Sequence, residues 1–397
     1  MTNFIFISPN FPTNYWMFCR ELKDNGINVL GIGDQPYNEL SDKLKDSLNE
    51  YYKVDSLENY ESVYRAVAFF IFKHGRIDYL ESNNEYWLEK DAKLRTDFHI
   101  TSGFQKEEIE MFRHKSNMKK YYEAAGIPVA RYHLVDDLKG CLKFVEEVGY
   151  PLCIKPDNGV GASDTHKIDN EDDLRKFFEI KDDDVEYIAE EFIDGIVDSY
   201  DAIIDSNSEP IFETGTVSPI SIMDIVNNND NAAYHVTSDI PEDLKKAGRA
   251  TVKSFGVKNR FVHFEFFRLN SDQHIGKKGD IVALEVNMRP CGGITPDMMN
   301  YAADINIFDI YANMVCYDEA RIDTTHKKYY CVYASRRKEH HYNTSLEDVK
   351  NRYAANIVTT FTNAPAIATA MGDYVLVARF ENEEDIIPFV NSVIEGI

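Results

Sequence analysis

Phe261-Val-His-Phe-Glu-Phe-Phe-Arg-Leu269, a polar turn-rich stretch, and Ile281-Val-Ala-Leu-Glu-Val-Asn-Met-Arg289 decide how this chain is read. Both ends carry the β-branched and aromatic residues of strands. Folded as an antiparallel hairpin about the polar segment near Ile275, they set Glu265 directly opposite Glu285. Like charges facing each other across strands are destabilising, so a compensating cation is expected. Strand alternation places Glu285, Asn287 and Arg289 on one face, and His263 and Glu265 likewise share a face. Two carboxylates and an amide oxygen are hard ligands suited to Mg2+, which takes its remaining ligands from water and nucleotide phosphates. Glu265, Glu285 and Asn287 are therefore the candidate ligands for one or two Mg2+ ions, with Mn2+ as the alternative. A strand face of separate solvated charges does not account for a second carboxylate at the mirror position among Phe, Val and Leu.

Upstream, Pro151-Leu-Cys-Ile-Lys-Pro156 reads as a short apolar strand ending in Lys155. Asp157-Asn-Gly-Val-Gly-Ala-Ser163 follows, and then a second strand, Thr165-His-Lys-Ile168. A glycine loop between two strands is not a Walker A loop, which opens a helix with Gly-Lys-Ser/Thr. Gly159 and Gly161 still allow backbone N–H groups close to phosphate oxygens, and Lys155 supplies a point charge. A plain hairpin turn has the same glycines. The lysine favours an anion, because an ammonium group closing an apolar strand is costly without one.

The chain has 397 residues, enough for two or three domains, with 44% hydrophobic and 28% charged residues. Its formal charge of −24 argues against nucleic acid and membrane surfaces as partners. Any polyanionic ligand must be drawn by metal ions and a few placed lysines. Cys19, Cys141, Cys153, Cys291, Cys316 and Cys331 show no C-x-x-C spacing, which fits a reduced, cytoplasmic protein rather than a zinc or disulfide scaffold. The opening apolar run lacks a basic segment and a cleavage site. The apolar helix around Ala66–Phe72 is too short to span a bilayer.

Residues 1–110 have βαβ rhythm and are expected to form a Rossmann-like α/β domain: strand Phe4–Ser8, helix Tyr15–Asp24, strand Asn28–Ile32, a second helix, then strand Ile77–Glu81. Val63, Ala66, Val67, Phe70 and Ile71 form the buried stripe of that second helix, which Gly75 ends. Ser8-Pro9-Asn10-Phe11-Pro12 stands where a dinucleotide-binding fold has its glycine turn, which disfavours a dehydrogenase. Residues 111–325 read as α+β. Residues 326–397 read as a small βαββα module, with strands Tyr329–Ser335, Ile357–Thr362 and Tyr374–Phe380.

In order along 111–310, these elements resemble the ATP-grasp superfamily: Lys115 ahead of Gly126-Ile-Pro128, Ile154-Lys155-Pro156, the loop Asn158–Ser163, Glu190-Glu-Phe-Ile-Asp-Gly195, Glu265, and Glu285-x-Asn287-x-Arg289. The resemblance implies a core of two α+β lobes, about 115–190 and 191–325, and a ligase of the carboxylate-amine or amino-acid type in the biotin-carboxylase-like branch. It implies that Lys115 and Lys155 contact ATP phosphates and that Asn158, Gly159, Gly161, Ala162 and Ser163 cover them. Glu190, Glu191, Phe192 and Ile193 would line the adenine pocket. Arg289, with Lys155 the catalytic candidate, would hold the acyl phosphate or substrate carboxylate, and Gly292 and Gly293 would offer N–H groups beside it. Val197 occupies the place where the family often has a ribose-binding glutamate, so Asp198 is the substitute candidate. Asp297, Met298 and the loop Asn227–Asn231 are expected to border a pocket for small carboxylate and amine substrates. A homodimer is expected by analogy.

Two other readings stand beside the ligase. A biotin-carboxylase-like bicarbonate-activating enzyme is one, although Pro290-Cys-Gly-Gly-Ile-Thr-Pro-Asp297 lacks the His-x-Val-Thr-Glu stretch of those enzymes. A non-catalytic ATP-binding regulatory protein is the other. Cys291 is read as a packed small hydrophobe, since no partner base is recognisable near it in sequence. His340-His341 is read as a solvated turn pair.

Overall fold

The computed structural model describes residues 2–159, 164–219, 225, 229–323 and 326–396. Four parallel strands open the chain: β1 (Asn3–Ile7), β2 (Asn28–Gly33), β3 (Glu50–Lys53) and β4 (Tyr79–Glu81), in the order β3-β2-β1-β4. β1 is buried along its whole length because helices cover both faces, which is why it reads as a continuous apolar run. Phe4 and Phe6 pack with Phe18 of the helix Trp16–Asp24, and Ile5 and Ile7 with Val63, Val67 and Phe70 of the helix Tyr60–His74. Asn59 caps that helix by accepting from the Ser62 N–H, and Gly75, at φ +83°, ends it. Of the expected stripe only Ile71 is not fully buried.

A second sheet holds β5 (Tyr132–Leu134), β6 (Leu152–Pro156), β7 (His166–Ile168) and β8 (Tyr187–Glu191), ordered β5-β8-β6-β7. Helices Leu138–Val148 and Glu171–Ile180 cover one face through Phe144, Leu174 and Phe177, which meet Leu152, Ile154 and Ala189. Alternation therefore turns Lys155 and Glu190 to the face opposite those two helices.

The third sheet has eight strands: β9 (Gly195–Ile204), β10 (Pro210–Ser218), β11 (Ala233–Val236), β12 (Arg260–Leu269), β13 (Ile281–Asn287), β14 (Tyr330–Arg336), β15 (Ile357–Thr362) and β16 (Tyr374–Phe380). Their order is β13-β12-β9-β10-β11-β14-β16-β15. The strands beyond residue 325 lie close to their expected positions, with an added helix Pro365–Met371 before β16. They do not form a separate sheet: β14 pairs with β11, so the C-terminal strands extend the sheet that carries Glu265 and Glu285. Strand periodicity defines a strand's faces but leaves its edge partners open.

A buried charge network ties the first sheet to the third. Arg260 on β12 reaches Glu81 on β4 at 3.2 Å, and Arg95 binds the other Glu81 oxygen at 2.9 Å. Arg260 also donates to the Met288 carbonyl at 3.1 Å. Removing Arg260 breaks a buried ion pair, leaves Glu81 with Arg95 alone and deprives the buried Met288 carbonyl of its donor. Arg260→Ala is therefore expected to lower stability by about 3–5 kcal/mol, read as the shift in a urea unfolding midpoint; a shift of under ~1 kcal/mol would contradict this role.

Candidate active site

The hairpin register is the expected one: Glu265 faces Glu285, and His263 faces Asn287. Pairing then slips between Glu265 and Phe266 and resumes with Phe266 opposite Ala283, so Leu284 is an extra residue and the bulge lies beside the carboxylate pair. On its other edge β12 pairs with β9, setting Ser199 beside Glu265 and Asp201 beside His263. One face of the sheet thus gathers Ser199, Asp201, His263, Glu265, Glu285 and Asn287. The opposite face carries Tyr200, Phe264, Phe266, Val286 and Met288 into an apolar core with Met118, Tyr122 and Leu244.

Each oxygen donor has a cationic or N–H partner. Lys115, at the start of the helix Lys115–Ala124, lies 3.4 Å from Glu285 Oε1 and donates to the Gly159 carbonyl at 3.1 Å. His263 bonds Glu265 Oε1 through Nε2 at 3.3 Å and Asp201 Oδ1 through Nδ1 at 2.8 Å. Burial alone would lower the His263 pKa, but Cys291 and Asp201 raise it well above its usual value. Burial alone would raise Glu265, and the His263 bond holds it below the usual carboxylate value. Arg289 donates to Asn287 Oδ1 at 3.2 Å. Two facing carboxylates and an amide oxygen form a hard, all-oxygen donor set that suits Mg2+, and Lys115, His263 and Arg289 are the charges that balance it here.

Lys155 Nζ lies 2.7 Å from Glu190 Oε2, and Lys119 Nζ 2.6 Å from Glu190 Oε1. Burial would raise the Glu190 pKa, yet Lys119 and Lys155 depress it to about 2. Burial would lower Lys155, and Glu190 instead raises it. Sequence reasoning missed Lys119, whose one signal was its place a helical turn after Lys115. It also missed Glu85, contributed by the N-terminal region. Glu85 Oε2 lies 3.5 Å from Arg289 Nε and makes no hydrogen bond among the described residues. Burial raises the Glu85 pKa against the pull of Arg289.

Several expected residues are placed elsewhere. Asp198 is on the sheet face away from Glu265, where Arg268 Nε holds it at 2.7 Å, so its carboxylate is not set beside the oxygen cluster. Glu191 alternates away from Glu190 and is held by Arg131 at 2.5 Å. The Ile193 side chain packs with Ala130, Leu269 and Val282, while Lys167 sits over the Phe192 ring. Met298 is in the core rather than at a pocket wall. Asn231 bonds Tyr342 Oη and the Arg337 N–H, which ties it to the C-terminal segment. Asn14 Nδ2 donates to Asp297 Oδ2 at 3.0 Å and to the Gly293 carbonyl at 3.4 Å, and Gly293, at φ +62°, adopts the left-handed turn after Gly292. Asn158 bridges His114 beside Gly159. Gly161, Ala162, Ser163, Asn227 and Asn228 lie outside the described residues.

No family model matches the chain. It is 23% identical over 332 residues to an L-arginine-specific L-amino acid ligase of Bacillus subtilis, covering 81% of this chain and 77% of the relative. Its fold matches that of an L-amino acid ligase from Bacillus licheniformis, with TM-score 0.69, 16% identity, and 98% and 96% of the two chains covered. It likewise matches the biotin carboxylase domain dimer of a Hydrogenobacter thermophilus 2-oxoglutarate carboxylase, a complex with MgADP and bicarbonate. There the TM-score is 0.69, with 14% identity and 98% and 89% coverage. The chain is thus similar to ATP-grasp ligases in sequence and shares their α/β fold, as its sequence led us to expect. No helix among the described residues is long and apolar enough to cross a membrane.

The Glu190 cluster makes stability depend on acidity. A carboxylate depressed to about 2 contributes fully above its ordinary value of 4.5 and loses that contribution as pH falls towards 2. Glu190→Gln, which leaves Lys119 and Lys155 without their counter-charge, should unfold more readily at neutral pH. The gap from the parent protein should shrink as acid is added from pH 4.5 to 2. Equal unfolding midpoints at pH 7 would refute the assignment.

Proposed function

We infer that this chain is an ATP-dependent carboxylate-amine ligase, which forms an amide or peptide bond through an acyl phosphate and releases ADP and phosphate. The observation that carries this reading is the facing pair Glu265 and Glu285, with Asn287, ringed by Lys115, His263 and Arg289. Mg2+, held by these three oxygen donors, would neutralise triphosphate charge. Lys115 and Lys155 supply fixed positive charge at the mouth of the loop that begins at Asn158 and Gly159. Phosphoryl transfer asks side chains for alignment and charge neutralisation rather than covalent chemistry. The substrate carboxylate attacks the γ-phosphorus of ATP, Arg289 retains the acyl phosphate, and an incoming amine displaces phosphate. Of the segment Glu190–Ile193, Glu190 would border adenine and position Lys155, while the Glu191 and Ile193 side chains are held by Arg131 and by Ala130, Leu269 and Val282.

We further propose that the activated substrate is an α-amino acid. Arg289 suits a carboxylate, and the buried Glu85 oxygen beside it, without a hydrogen bond among the described residues, suits an ammonium group. Gly292, Gly293 and Asp297 would form the adjoining wall, with Asn14 bonded to the Gly293 carbonyl and to Asp297. Such chemistry belongs with cytoplasmic ATP. A homodimer is proposed from the dimeric carboxylase domain of the same fold.

Glu285→Ala and Asn287→Ala should retain the parent circular dichroism and lose ADP release by more than ~100-fold, beyond the usual cost of an outer-sphere metal partner. Wild-type turnover in either variant would remove the metal assignment. With Mg-ATP, amino acids and hydroxylamine, the parent protein should yield hydroxamate and ADP. Nucleotide binding without turnover would point to a regulator, and bicarbonate-dependent ADP release to a carboxylase. Glu85→Gln should raise KM for amino acids by about 10–100-fold, as expected for a lost charged hydrogen bond, and leave a carboxylic acid lacking the amino group unaffected. An equal effect on both would exclude ammonium recognition.

A further inference from the structure

We propose that Asp201, His263 and Cys291 form a second metal site, adjacent to the oxygen cluster and selective for a borderline transition ion such as Zn2+. Their carboxylate oxygen, ring nitrogen and sulfur all lie within 4.8 Å of one another. The three come from β9, β12 and the turn after β13, so the sheet and not local sequence brings them together. Ligands of a tetrahedral zinc ion, at roughly 2.0–2.3 Å from the metal, lie somewhat closer together than this, so a small contraction completes the set and leaves a fourth position open. Mixed sulfur, nitrogen and carboxylate donors disfavour Mg2+ and favour Zn2+ or Co2+.

The cluster is also supported from behind. Ser199 Oγ donates to Asp201 Oδ2 at 2.5 Å and itself contacts Thr216 Oγ1 at 2.6 Å, which orients the carboxylate with Oδ1 on the His263 side. Outer hydrogen bonds of this kind are what fix metal ligands in place. Asp201 is fully buried and His263 nearly so, which accounts for their close pairing and shields the site from bulk water. His263 also bonds Glu265, so an ion on this cluster acts directly on a ligand of the Mg2+ site.

The test titrates the full chain with Co2+ in excess Mg2+. One equivalent should give thiolate-to-cobalt charge-transfer absorption, abolished by Zn2+ and absent from C291S and D201N. On the unsubstituted protein, Zn2+ should slow iodoacetamide alkylation of Cys291, mapped by mass spectrometry against the other five cysteines. The site is overturned if Co2+ gives no thiolate absorption, if the band survives in C291S, or if Cys291 alkylates equally fast with and without Zn2+. The alkylation arm needs no substitution and does not depend on catalytic activity, so it separates this site from the ligase reading.

Discussion

Two carboxylates held face to face on neighbouring strands dominate the molecule. At ~5 Å and an effective dielectric near 20, such a pair repels by roughly 3 kcal/mol, comparable to a sizeable part of a domain's net stability. The fold answers with positive groups from separate elements: Lys115 from a helix start, His263 from the same strand as Glu265, and Arg289 from the strand end beyond Asn287. Negative charge concentrated on the strands and positive charge around it place groups of both signs within one site. In a chain of net charge −24 such a local cluster of lysine, arginine and histidine stands out against the overall field.

The helix Lys115–Ala124 links the lobes electrostatically. Lys115 touches Glu285 of the large sheet and the Gly159 carbonyl of the small one, and Lys119 one turn later grips Glu190 from the small sheet. Glu190 in turn fixes Lys155. The two lysines proposed for phosphate thus have positions defined relative to each other through a single carboxylate and a single helix.

The hairpin register was legible because a period of two and mirror symmetry about Ile275 leave one pairing that opposes Glu265 to Glu285. Lys155 was legible because a charged end to an apolar strand is costly. Glu85, Lys119 and Asp201 were not, since each reaches the site through contacts distant in sequence. Asp198 and Glu191 stand one step of alternation from Ser199 and Glu190, which face inward, a distinction that rests on strand register. Cys291 gained a histidine neighbour only once β12 and the turn after β13 were brought together. The C-terminal strands were found in place, but their edge pairing with β11 is a tertiary choice that no local pattern encodes.

The Glu81–Arg260 contact bears on how firmly the N-terminal sheet is seated. Because Arg260 spans from β4 to the Met288 carbonyl, and Phe18 stacks edge-on against Phe308 at 4.7 Å, sliding the N-terminal sheet would expose apolar surface and strip partners from buried charges. The segments that carry Glu85 and Asn14 are accordingly anchored to the eight-stranded sheet and its helices. The spacing between Glu85 and Arg289 is thereby set by contacts that neither residue makes itself.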